Sequence, residues 1–266
     1  MASGASRHST THGPDDMNAY QMDSLSMAFR HLKPLLMTAE PAGERGRKAL
    51  SLLKDWDGSM ARDLGEPLIF SAWAEETQRT LFLGRLGALF DGWSGAIKPL
   101  RIKAALQEES VWCDDEATKD RKETCTEALS RSLDEALRRL GREFGEDMSR
   151  WRWGDAHKAK FQHGILERLP IPEDWVAPSI ETDGDGFTLN RGGFAYGSFR
   201  HVHGAGLRAV FDLSDPAASR FIIATGQSGN PFSPHYADLM QHWRDGRSLK
   251  LDSAGRMDEL VLWPVP

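Results

Sequence analysis

The chain has 266 residues, 40% apolar and 27% charged, with nine Trp and a formal net charge of −6. That length can bury one large core or two modest ones, and the mixture is that of a soluble globular protein rather than a disordered one. The acidic balance offers no general attraction to phosphate backbones or anionic lipid, and nowhere do eighteen apolar residues run together, which argues against nucleic-acid and membrane partners.

Met1 to Pro14 are small, polar and His/Thr-rich, with no apolar face, and read as a flexible arm. Residues 15–150 read as a mainly helical region and 151–266 as a strand-rich one, packed with the helices as a single unit. Asp15 and Asp16 sit where an N-cap belongs, ahead of Met17, Tyr20, Leu25, Phe29 and Leu32, so one helix is predicted here, ended by Pro34. A second helix is predicted over Arg47 to Trp56, closed by the Asp57-Gly58 turn signal. Glu66-Pro67 marks a helix entry into Leu68 to Phe90, and Leu100 to Glu109 reads as another helix. Thr124 to Phe144 has the clearest amphipathic pattern, with Leu129, Leu133, Leu137, Leu140 and Phe144 on one face.

Beyond Trp153 the pattern changes. Pro170, Pro172 and Pro178 break any helix, and β-prone runs follow at Phe187 to Phe194, Leu207 to Leu213 and Phe221 to Thr225. His235 to Trp243 is predicted as a late helix and Leu260 to Trp263 as a short closing strand ended by Pro264.

The residues able to carry chemistry are scattered. Cys113 and Cys125 flank a polar segment without the spacing of a zinc knuckle or a redox CxxC, leaving a local disulfide or two free thiols. A disulfide implies an oxidising compartment, whereas Arg7, His8, Asp15, Asp16 and Asp23 occupy the stretch where an export signal needs apolar residues. Ser228, in Gly-Gln-Ser-Gly, lacks the spacing of a nucleophile elbow, and a turn after a strand is the better reading.

His201 and His203 alternate on a predicted strand and face one side, with His157 and His163 upstream, but no local carboxylate completes a metal set, so packing is preferred to ligation. Asp183-Gly184-Asp185-Gly186 opens like a calcium loop without the closing Glu and reads as a turn. Asp114 and Asp115 read as a solvated loop or N-cap, and Trp151, Trp153, Trp175 and Trp243 as core in preference to a pocket lining. With no phosphate loop or dinucleotide fingerprint, no cofactor and no metal are expected.

Three stretches carry a resemblance: Trp153-Gly154-Asp155-Ala156-His157 with Phe161-Gln162-His163; Gly184 to Asn190, reading GDGFTLN; and Gly226 to Asp238, reading GQSGNPFSPHYAD, with Trp243-Arg244-Asp245-Gly246 after it. In these the chain resembles the C-terminal part of the β chain of the penicillin acylase (penicillin amidase) family of N-terminal-nucleophile hydrolases. The last stretch is the most specific, through Gly226, Gln227, Ser228, Gly229, Pro231, Ser233, Pro234, His235, Tyr236 and Asp238, read as structural motif residues. The resemblance implies an α+β fold: part of an αββα sandwich, with a helical N-terminal half followed by antiparallel strands.

It also implies a mechanism in which the N-terminal Ser of a self-cleaved chain attacks an amide, its own α-amine acting as base while a backbone N–H and an Asn hold the oxyanion. Those groups lie ahead of the region this sequence resembles, so no catalytic residue carries over. The expectation is a C-terminal fragment of an amidohydrolase for linear acyl amides, such as β-lactam side chains or acyl-homoserine lactones, inactive alone. Its expected partner is the missing N-terminal part of the same precursor, the α chain and the start of the β chain. The intact parent would be periplasmic or secreted, and this chain alone cytoplasmic. Strands supplying only part of two sheets would leave edges and apolar faces uncovered. The alternatives are a free-standing, non-catalytic scaffold or binding protein and, third, a His-based metal hydrolase.

Overall fold

A computed structural model describes residues 12–107 and 111–251. The chain divides into two units by packing, Asp23–Gly204 in one and Met1–Met22 with Ala205–Pro266 in the other.

The unit spanning Asp23–Gly204 is built on helices α2 (Met27–Leu36), α3 (Glu44–Asp55), α4 (Glu66–Leu86), α5 (Leu89–Trp93), α6 (Pro99–Gln107) and α7 (Cys125–Phe144). The α7 helix starts where it does because Thr124 and Glu127 form a capping box. The Thr124 hydroxyl accepts the Glu127 amide at 3.2 Å, and the Glu127 carboxylate accepts the Thr124 amide at 2.7 Å. Its apolar stripe packs against α4, which is buried nearly all round from Pro67 to Gln78. The Trp73 indole on α4 donates to the Leu129 carbonyl at 3.1 Å and to the Ser132 hydroxyl at 3.0 Å, so the interface is fixed by hydrogen bonds as well as by area.

The first predicted helix is two helices. α1 (Pro14–Gln21) ends early and α2 restarts with Ser26 as its N-cap, because the Asp23 carboxylate accepts the Leu25 amide at 2.8 Å and turns the chain out of the helix. Pro34 does not end α2 but lies inside its last turn, where its missing N–H and ring disturb little that follows.

Cys113 and Cys125 are joined in a disulfide that closes a loop onto the first residue of α7. Replacing Cys125 with Ser is expected to lower stability by about 2–3 kcal/mol through the freed loop entropy, read as a lower urea midpoint, with dithiothreitol having the same effect on the parent chain. A midpoint unmoved by either treatment would show that the link contributes nothing.

The same unit carries a small sheet of order β2-β1-β4-β3, where β1 is Lys158–Lys160, β2 Ser179–Glu181, β3 Gly192–Phe194 and β4 His201–Gly204. β1 and β4 pair in parallel and the remaining pairings are antiparallel. The strand predicted over Phe187 to Phe194 shrinks to Gly192–Phe194, because Asp185 and Thr188 bond the backbone of residues 184–190 into a turn. Short helices α8 (Trp153–Ala156) and α9 (Glu173–Val176) complete this unit.

The other unit holds α1, α10 (Met240–Arg244) and an antiparallel sheet of order β5-β6-β7, from Leu207–Val210, Arg220–Ile223 and Leu249–Lys250. β5 stops at Val210 because the Asp212 carboxylate takes the amides of Ser214 and Asp215 into a turn. The late helix begins at Met240 rather than His235, since residues 235–239 are held in turns. The predicted strand Leu260 to Trp263 lies outside the described residues. Among the described residues no helix is long and apolar enough to cross a membrane.

Candidate functional site

The first family-like stretch forms a stack of three rings. α8 places Trp153 so that its indole lies on the His157 ring, centroids 4.3 Å apart, and His157 lies in turn on His201 of β4 at 5.1 Å, each pair 15° from parallel. The Phe199 carbonyl, 2.6 Å from His157 Nδ1, can only accept, so Nδ1 carries the hydrogen and Nε2 the lone pair. Burial, then the neighbouring His201, push the His157 pKa down to about 3, with the Phe199 bond opposing them. His157 is thus a neutral core ring.

Nothing in this cluster forms a nucleophile and base. The Thr182 hydroxyl gives its one hydrogen to the His157 carbonyl at 3.0 Å, so at 2.8 Å from His201 Nδ1 it accepts rather than being activated. His203 does not join His201 in a shared set: it is exposed and takes a hydrogen bond from Arg191 Nε at 2.9 Å. His163 Nδ1 accepts the amides of Ile165 and Leu166, a turn-forming role. Among the described residues no three His, Cys, Asp or Glu side chains converge to hold a metal ion.

The Asp183-Gly184-Asp185-Gly186 turn is internally tied. Asp183 accepts from the Arg62 amide at 2.7 Å and from its guanidinium at 2.8 Å. Asp185 accepts from Ser26, the α2 N-cap, at 2.6 Å and from the Phe187 amide at 2.6 Å, and burial raises its pKa to about 6 against those bonds. Gly184 has φ +89°, and a methyl there would collide with the Asn190 carbonyl oxygen. Both carboxylates are committed to the fold.

The Gly226 to Asp238 stretch is a loop closed on itself between β6 and α10. The Ser228 amide donates to the His235 carbonyl at 3.0 Å, and the Leu239 amide to the Thr225 carbonyl at 2.9 Å. The Ser228, Asn230 and Ser233 side chains each accept a backbone amide two residues ahead, a run of local turns into which Pro231 and Pro234 fit with fixed φ. Tyr236 donates its amide to the Ser233 carbonyl, and Gln227 and Gly229 lie in the same turns. His235 pairs with Asp238 at 3.0 Å on the surface, and Ser228 Oγ takes the Asn230 amide. Ser, His and Asp thus occur together without the Ser-to-His hydrogen bond of a catalytic triad.

Asp114 and Asp115 hold the disulfide loop. Asp114 accepts the Glu123 amide at 3.2 Å, and Asp115 pairs with Arg131 of α7 at 3.0 Å. Trp151, Trp153 and Trp243 are core, whereas Trp175 is exposed.

The most deeply buried acidic side chain, Glu75, was not anticipated. Glu75, in the middle of α4 and fully buried, accepts from Arg139 of α7 at 2.7 Å and from the Gly197 amide at 2.9 Å, while the Tyr196 hydroxyl bonds the Glu75 carbonyl. Its pKa is raised, burial outweighing the Arg139 attraction. The available signal was a Glu inside LIFSAWAEE, a run too apolar to expose one whole side.

The profile of the penicillin amidase family matches residues 3–255. An acyl-homoserine lactone acylase of Pseudomonas syringae pv. syringae (strain B728a) is 29% identical over 243 residues, covering 86% of this chain and 29% of that protein. The penicillin acylase 2 proenzyme of Pseudomonas sp. (strain SE83) is 33% identical over 116 residues, 43% of this chain and 15% of that one. The thermostable penicillin G acylase from Alcaligenes faecalis shares the fold, with a TM-score of 0.55 at 19% identity over 95% of this chain and 50% of that chain. This chain therefore spans under a third of the length of the curated relatives it matches.

Proposed function

The chain belongs to the penicillin amidase family, and from that premise we propose that it is a structural portion of an acylase hydrolysing linear acyl amides, without turnover of its own. The substrate class follows the names its relatives carry, acyl-homoserine lactone acylase and penicillin acylase. The whole enzyme would work through an N-terminal nucleophile supplied by the polypeptide that this chain does not match. The free-standing scaffold reading differs only in lacking that larger enzyme.

One observation carries the proposal. The groups of the right chemical type for hydrolysis, His157, His201, Thr182, Asp183, Asp185, Ser228 and His235, are each engaged in bonds that hold a turn, a cap or a stack. The Cys113–Cys125 disulfide supports an oxidising site of maturation, periplasmic or extracellular, for the whole enzyme.

The purified chain, incubated with a chromogenic phenylacetyl amide and with a long-chain N-acyl-homoserine lactone, is expected to release product at the buffer rate. Release that scales with the amount of chain and disappears in Thr182→Val or Ser228→Ala would overturn the reading and identify the nucleophile. In the source DNA, an autocleavage Ser and an oxyanion Asn encoded in frame ahead of Met1 would support it, and an unrelated gene there would count for the scaffold.

A further inference from the structure

An open cavity of about 470 Å³ lies wholly within the unit Asp23–Gly204, among the loop joining α5 to α6, the turn after Asp185 and the strands β3 and β4. Its apolar wall is made by Ile97, Phe187, Phe194 and Val202. Arg191 and His203 supply the polar part, and no Asp or Glu lines it. Backbone bonds fix these walls before anything enters. The Tyr196 amide donates to the Gly95 carbonyl at 3.2 Å, the Met27 amide to the Phe187 carbonyl at 3.2 Å, and the Gly192 amide to the Asp185 carbonyl at 2.9 Å.

The polar part consists of donors. Arg191 Nε donates to His203 Nδ1 at 2.9 Å and Nη1 to the Gly186 carbonyl at 3.1 Å, which together hold the guanidinium in one orientation. With Nδ1 accepting, the hydrogen of the His203 ring sits on Nε2 and makes it a second donor. Among the described residues no carboxylate pairs with Arg191, and its Nη2 has no hydrogen-bond partner. Asp185 feels its charge but is buried, bonded to the Ser26 hydroxyl and the Phe187 amide. A guanidinium fork left unneutralised beside an apolar wall is complementary to a planar anion with an apolar tail.

We propose that this cavity binds a carboxylate carrying an alkyl or aryl tail, with the carboxylate on Arg191 and the tail against Ile97, Phe187 and Phe194. The proposal stands on this cavity and is independent of the function argued above. An ionised acid is favoured over its amide or ester because the open partners are donors, and a neutral carbonyl forgoes the charge-assisted part of the bond. The tail matters equally, since a short acid would leave the apolar wall in water.

An NMR titration of the isotope-labelled chain with sodium octanoate, followed on the amides of Gly95, Phe187 and Ala195, tests this. These amides are expected to shift together and saturate, whereas octanamide and acetate should each bind about tenfold more weakly or worse. Arg191→Gln should weaken octanoate about tenfold and leave octanamide unchanged. Gly186→Leu should abolish binding of both, because a Cβ at Gly186 meets nothing within 4 Å and the added side chain has room to fill the cavity. Unchanged amide positions away from the cavity show that each variant keeps the fold. Absence of octanoate binding, equal affinity for octanoate and octanamide, or either variant binding octanoate as the parent does would overturn the proposal. So would shifts that never saturate and spread to the exposed Leu207 and Phe211, which would mean adsorption to any apolar surface.

Discussion

Arg139→Met is expected to cost about 3–5 kcal/mol of unfolding free energy at pH 7, the loss that follows when one partner of a buried ion pair is removed and the other stays charged. Glu75 is fully buried, and with Arg139 gone its carboxylate keeps only the Gly197 amide at 2.9 Å. Burial already raises the Glu75 pKa with Arg139 present. Without the guanidinium it rises further, so the variant recovers part of its loss on acidification as Glu75 takes up a proton. The double variant Glu75→Gln/Arg139→Met, with no charge to strand, should regain most of the difference. Urea unfolding at pH 7 and pH 5 measures all three, and a loss below about 1 kcal/mol at pH 7 would place the pair effectively in water. The effect reaches past the helices, since Arg139 also covers the Phe199 ring at 4.8 Å and the Phe199 carbonyl anchors His157.

Acid should destabilise the fold through His157. Its folded pKa of about 3 lies below the ordinary 6.5, so between those values the unfolded chain binds a proton that the native chain refuses. The stabilisation is complete above pH 6.5 and is lost as pH falls toward 3, amounting to about 3 kcal/mol by pH 4. Asp185 acts in the opposite sense. Its folded pKa of about 6 exceeds the unfolded one, so the native chain holds the extra proton and stability falls as pH rises from about 4 to 6. Glu75, its carboxyl also raised by burial, acts with Asp185, so the His157 contribution is read as a difference between the parent and a variant that lacks the ring. His157→Asn keeps a donor for the Phe199 carbonyl and removes the titration. The variant should show a shallower fall in unfolding free energy between pH 7 and pH 4 than the parent, and an identical slope in the two would remove His157 as the cause.

Much of the helical architecture was legible because it follows local rules. The Thr124 cap, the Leu129 to Phe144 stripe and the Glu66-Pro67 entry each announce themselves within a few residues, and the structure places helices at all three. The break before Ser26 was not legible from periodicity, since Asp23 competes for the backbone with a single side-chain bond that leaves the apolar spacing intact. The strands were over-read for the same reason: Phe187 and Leu189 are apolar, but Asp185 and Thr188 fix that segment as a turn using partners that include Ser26, 159 residues away. The histidines show the limit most clearly. Their spacing suggests a shared face, whereas the ring stack of Trp153, His157 and His201 depends on two strands meeting in parallel, which no local pattern encodes. The buried Glu75–Arg139 pair joins helices 64 positions apart in sequence and was likewise invisible to spacing.

The Gly226 position has a consequence for how such a chain changes over evolutionary time. A methyl group there would strike the His235 carbonyl oxygen and the Asp238 carboxylate, so alanine is excluded by shape alone. Selection at that glycine acts whenever the loop must close and does not depend on whether any amide is being cut. A lineage that lost hydrolysis but kept the fold would hold Gly226 as firmly as an active enzyme.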